Sequence, residues 1–128
     1  EVSMRTNIAD WDLSVDADVL SAKNAVTGIE LDDRAEQTLA LKAAKDFGDF
    51  DLLFNLKSES NRFDRSGTEL ASYTLFDVAA NYDLNETVRV SANVDNLFDK
   101  DYTLNLASST ARFNTAGRQA RISVKVSF

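Results

Sequence analysis

Arg121–Phe128 constrains the fold more than any other stretch of the chain. Ile122, Val124, Val126 and Phe128 alternate with Arg121, Ser123, Lys125 and Ser127. Successive side chains on a strand point to opposite sides, so this segment has one apolar face and one charged face. Thr87–Asp95 repeats the pattern, with Val88, Val90, Ala92 and Val94 against Arg89, Ser91, Asn93 and Asp95. Two such strands flanking a long polar loop specify an antiparallel sheet whose polar face meets water or polar partners.

The same period recurs upstream. Val2, Met4, Thr6 and Ile8 define a first strand, and after Ala9-Asp10 the residues Trp11, Leu13, Val15, Ala17 and Val19 define a second. Arg34–Phe47 reads either as an amphipathic helix or as a strand; its strand neighbours favour a strand, with Leu39, Leu41 and Ala43 on one face. After Gly48-Asp49, Leu52, Phe54 and Leu56 lead a strand expected to run to about Arg62. Thr74, Phe76, Val78, Ala80 and Tyr82 lead the next. The connections Ala9-Asp10, Gly48-Asp49 and Asp83–Glu86 are short. Asn24–Asp33, Phe63–Glu69 and Leu97–Ala116 are longer, and they fall at the other end of the sheet. Outer-membrane barrels sort their loops in this way. The sequence therefore predicts an all-β, antiparallel meander of about seven to eight strands, forming a transmembrane β-barrel or part of one. Tyr102–Leu106 is the candidate for an eighth strand, since a single-chain barrel takes an even number and open edges do not survive in lipid.

Composition narrows the chemistry. The 128 residues contain no cysteine, proline or histidine. Disulfides, thiolate zinc sites and a histidine-based serine triad are excluded. Only carboxylates remain for a metal, which favours hard cations. Asp12, Asp16 and Asp18 share one strand face, but positions i and i+4 lie about 13 Å apart there, too far for one ion. A net charge of −7 argues against nucleic acid as a partner. No apolar run reaches the length of a membrane helix, yet a membrane strand needs only about 9–11 alternating residues. No cofactor motif, metal site or catalytic pair is discernible, and no enzyme is expected.

Asn96–Tyr102 reads NLFDKDY, Phe113–Arg118 reads FNTAGR, and an alternating strand follows that closes on Phe128. This spaced combination resembles the end of TonB-dependent outer-membrane transporters, with the vitamin B12 transporter branch as the nearest likeness. Asn96, Leu97, Phe98, Asp99, Tyr102, Gly117 and Arg118 carry it. WDLSVDADVLSAKNA and DFDLLFNLKSESNRFD extend it more diffusely upstream. The resemblance implies a single β-barrel domain over residues 1–128 that is the C-terminal segment of a larger barrel, without a plug domain. It implies residence in the bacterial outer membrane, in contact with the lipid bilayer or detergent. It further implies uptake of a scarce solute, a corrinoid or an iron–siderophore, by the full-length parent. An energy-coupling protein would act only through the plug. A self-standing or engineered small barrel with a structural role is the alternative, and dependence on detergent separates the two.

Solute contacts are expected from the longer loops, chiefly Thr103–Asn114, including Ser108–Thr110, and Asn24–Asp33. Trp11, Tyr73, Tyr82 and Phe128 stand near strand ends, where they suit either interfacial girdles or ordinary packing. Loop charges such as Asp64-Arg65 and Asp99-Lys100-Asp101 are expected to be solvated. Ile122, Val124, Val126 and Phe128 are expected to form an assembly signal read by the outer-membrane assembly machinery. An unpaired strand edge can be captured by strand addition, and the terminal aromatic would supply identity.

Overall fold

The computed structural model describes residues 1–29, 31–106 and 112–128, and among these there is no helix. In chain order the strands are β1 (Val2–Ile8), β2 (Trp11–Val19), β3 (Gln37–Asp46), β4 (Phe50–Glu59), β5 (Arg62–Phe63), β6 (Glu69–Leu70), β7 (Tyr73–Asn85), β8 (Val88–Asp95), β9 (Thr103–Leu106), β10 (Arg112–Asn114) and β11 (Gln119–Val126). Seven of them form one sheet in the order β1-β2-β3-β4-β7-β8-β11, every pair antiparallel. β5 pairs with β6 and β9 with β10, as two small ribbons inside the longer connections.

Arg34–Phe47 resolves as the strand β3. Two expectations need correction. β4 stops at Glu59 rather than near Arg62, because Arg62 turns away to pair with Leu70. The segment after Tyr102 is a strand, but it joins β10 rather than the sheet. β8 and β11 already pair with each other from Asp95↔Gln119 to Val88↔Val126, so no slot is left between them for an eighth strand.

The register gathers the apolar positions into one continuous face. Thr6, Leu13, Ala43, Phe54, Val78, Val94 and Ala120 are successive cross-strand partners, and so are Met4, Val15, Leu41, Leu56 and Phe76. Among the described residues no second layer covers this face. Among the described residues only Leu70 and Tyr73 are buried apolar side chains, whereas Met4, Ile8, Ile122 and Val124 are exposed. An uncovered apolar surface this wide is not what water tolerates on a monomer. It fits a sheet whose outer solvent is lipid, with the charged face turned inward.

The turns sort by length. Ile8 pairs directly with Trp11 across Ala9 (φ 50) and Asp10 (φ 63), a two-residue hairpin of the primed type that matches strand twist. Gly48 (φ 91) serves the β3–β4 turn, and the Asn85 side chain accepts from the amides of Thr87 and Val88 in the β7–β8 turn. These tight turns lie at one end and the three long connections at the other. The edge strands β1 and β11 both run from the long-loop end to the short-turn end, and they do not pair with each other.

Candidate functional site at the long-loop end

The motif residues after β8 form a corner. Asn96 is in the left-handed region (φ 52) and is only 6% exposed. Its backbone N–H donates to Asp77 Oδ1 at 2.9 Å, and Asp77 Oδ2 accepts from Asn55 Nδ2 at 3.0 Å. One carboxylate therefore ties the corner to β7 and β4 together. The Asn96 side chain closes the turn on Lys100, accepting from its N–H at 2.8 Å and donating to its carbonyl at 3.0 Å. Leu97 N–H donates to the Phe76 carbonyl at 2.7 Å, and Phe98 meets Phe76 edge-on with centroids 5.7 Å apart.

Asp99, also left-handed (φ 54), turns its Oδ1 onto the Arg118 amide at 2.7 Å. That bond joins the start of the long connection to its return into β11. Gly117 leaves room for the carboxylate, since a Cβ there would stand 2.6 Å from Asp99 Oδ1. Asn96, Leu97, Phe98, Asp99, Gly117 and Arg118 are thus brought together. Tyr102 is not with them; it stacks on Tyr73 with centroids 4.3 Å apart.

Tyr73 departs from a place in an aromatic girdle. It pairs with Glu59 on the charged face and is 4% exposed, so it belongs to a buried cluster beneath the loops. Trp11, Phe50 and Tyr82 stay on the apolar face at the short-turn end, where Trp11 also meets Phe47 and Phe54. Lys45 falls on this same apolar face opposite Trp11, a charge that the alternation did not flag. Its stem runs to the short-turn end, where the ammonium donates to the Ala9 carbonyl at 2.8 Å and lies over the Trp11 and Phe47 rings. Long cationic side chains reach an interface in this way.

Asp64 is not a solvated loop charge. It is 5% exposed, and its Oδ1 accepts from the Ser66 hydroxyl and from the amides of Ser66 and Thr68 at 2.7–2.9 Å. The Ser66 hydroxyl, with these amides, holds its carboxyl below the usual aspartate range. Asp12 and Asp18 accept from Asn7 and Thr38, and Asp16 is bonded to Ser3, so each has its own strand partner. Among the described residues no group of three His, Cys, Asp or Glu side chains is placed to hold a metal ion. Ile122, Val124 and Val126 share the apolar face of the edge strand β11, and Phe128 lies beyond it, fully exposed. Ser108–Thr110 lies outside the described residues.

A meander sheet with a lipid-fitted outer face, a charged inner face, tight turns at one end and built-up loops at the other defines a section of an outer-membrane barrel. Residues 1–97 match the family described as TonB dependent receptor-like, beta-barrel, and the chain belongs to that family. This places it in the outer membrane of Gram-negative bacteria. It is 45% identical over 42 residues to the vitamin B12 transporter BtuB of Vibrio vulnificus, covering 33% of this chain and 7% of that protein. The siderophore receptor PiuA of Acinetobacter baumannii superposes over 97% of the chain and 20% of its own length, with a TM-score of 0.74 at 19% identity. The ferric enterobactin receptor of Pseudomonas aeruginosa does so over 98% and 22%, with a TM-score of 0.76 at 20% identity. The chain thus spans about a fifth of the solved receptors, and its matching stretch covers a smaller share of the B12 transporter. These relatives are transporters or receptors rather than enzymes.

Proposed function

We propose that residues 1–128 are one segment of the wall of a larger barrel that takes up a scarce solute, a corrinoid or an iron–siderophore. TonB would supply the energy through a plug domain seated against the charged face. The observation that carries this reading is the sorting of the sheet's two ends, in a chain whose first 97 residues match the receptor barrel. Every long connection, and every residue that is deeply buried among those described, lies at one end, as a solute-capturing surface on a rigid scaffold requires. The solute contacts are assigned to the Thr103–Asn114 and Asn24–Asp33 connections. Calorimetry of cobalamin and ferric siderophores on the intact receptor tests this, with Asn24–Asp33 replaced by a short Gly-Ser turn. Weaker binding by a receptor that still runs as a folded, heat-resistant barrel supports the assignment, and unchanged affinity moves the contacts elsewhere.

Ile122, Val124, Val126 and Phe128 would serve as the assembly signal. The free backbone edge of β11, the alternating apolar side chains and the exposed aromatic ring together suit capture by strand addition. Deleting Phe128 separates signalling from packing. Loss of folded barrel in cells with normal refolding in detergent supports a signal, and equal loss in both means packing.

A further inference from the structure

We infer that Arg62 is a positioning residue that staples the β4–β7 and β8–β11 connections into one cap, so that they dock and undock as a unit. Among the described residues the most buried are Arg62, Asp64, Leu70, Tyr73 and Asn96, all at the long-loop end. Arg62 belongs to the β4–β7 connection, yet its side chain is only 4% exposed. Its Nη2 donates to two carbonyls of the other connection, Thr103 at 3.1 Å and Leu104 at 2.8 Å. Its guanidinium lies over the Tyr73 ring, 5.7 Å from the centroid, and that ring stacks on Tyr102 of the second connection. The charge is offset by Glu59 Oε2, 3.5 Å from Nη1, and Glu59 is in turn held by Lys57 at 2.8 Å.

Among the described residues β9 pairs only with β10, so the start of this strand relies on donors from outside its ribbon. Arg62 supplies both N–H groups of Nη2 there while Nη1 faces Glu59, a planar fork that a point-charge ammonium cannot reproduce. Nη1 has no hydrogen bond beyond the ion pair with Glu59. Pulling β9 away would strand a buried cation and two carbonyls together, which makes partial undocking costly. The first connection is prepared for this role by Asp64, which fixes its turn, and by Asn61 Nδ2, which donates to Glu69 at 2.6 Å across the ribbon. A third connection joins in through Asp33 N–H, which donates to the Phe63 carbonyl at 2.7 Å.

The test is amide hydrogen exchange on the intact receptor in detergent, comparing the native protein with Arg62→Met and Arg62→Lys. Exchange over Thr103–Leu106 and over Gly67–Leu70 should rise together by about tenfold or more in Arg62→Met, the loss expected for hydrogen bonds to a charged group. β7 and β8 should stay within about twofold, because local opening leaves the sheet intact. Arg62→Lys should behave like Arg62→Met over Thr103–Leu106. Native exchange in both variants overturns the inference. So does native exchange in Arg62→Lys alone, which would mean that charge suffices without the fork. A rise spread evenly through the seven-stranded sheet overturns it too, since Arg62 would then be holding the whole fold.

Discussion

Gly117→Ala tests the corner at the long-loop end. The new Cβ would stand 2.6 Å from Asp99 Oδ1 and 3.8 Å from its Cγ. Oδ1 is the acceptor for Arg118 N–H, so the carboxylate must rotate off that bond. A hydrogen bond to a charged group contributes about 1.5–3 kcal/mol. Both residues are exposed here, and water replaces part of the loss, which brings the cost to about 1–2 kcal/mol. Against it runs a gain of about 0.4–1 kcal/mol, because alanine narrows the unfolded ensemble where φ is ordinary, and Gly117 is not left-handed. The net expectation is a loss of up to about 1.5 kcal/mol in the native background. In Asp99→Ala there is no carboxylate to displace, so the same substitution should stabilise by about 0.4–1 kcal/mol. Urea unfolding of the intact receptor in micelles, followed by fluorescence and heat resistance, measures all four corners of the cycle. An equal effect of Gly117→Ala in both backgrounds would refute the reasoning, because the clash with Asp99 would then be no part of the cost.

Ile122→Arg puts a charge on the apolar face in mid-strand and should destabilise the folded barrel by about 2–4 kcal/mol, while Ser123→Arg, on the charged face, should cost far less; the same titration compares them, and equal costs would reverse the facing. Asp64 has a lowered folded pKa, so its stabilisation is present above the ordinary value of 3.8 and is lost as pH falls through the folded value. Proteolysis of the β5–β6 loop should therefore quicken in acid, and Asp64→Asn should flatten that dependence and leave the loop open at neutral pH. Ala9 holds φ 50 without being glycine, so Ala9→Gly should stabilise the hairpin by about 1 kcal/mol, read as a higher urea midpoint.

Most of the seven sheet strands were legible because they carry a period of two, most clearly at Ile122, Val124 and Val126. β3 was legible only by its neighbours, since AEQTLALKAAKDF contains good helix formers and the sheet overrides their propensity. What could not be read was anything that depends on register. Tyr73 stands near a strand end like Tyr82, but only the pairing with Glu59 shows that it faces inward. Lys45 breaks the alternation, and its partner, the Ala9 carbonyl, lies 36 residues away. Arg62 sits in a polar stretch, SESNRFDRSG, with no periodicity, and the carbonyls it caps are 41 and 42 residues downstream. The motif residues were found through resemblance alone. Their geometric tie, Asp77 to the Asn96 amide, crosses 19 residues and has no local signature.

The two free edges carry a rule of parity. β1 and β11 point the same way, so joining them would make a parallel seam in a sheet that is otherwise antiparallel throughout. A parallel seam would need slanted hydrogen bonds and a register that this meander does not prepare. An odd number of further strands must intervene before the ring can shut with every neighbour reversed. The seven strands are therefore safeguarded against sealing into a small dead-end ring on their own, and the β11 edge stays available until the right counterpart arrives.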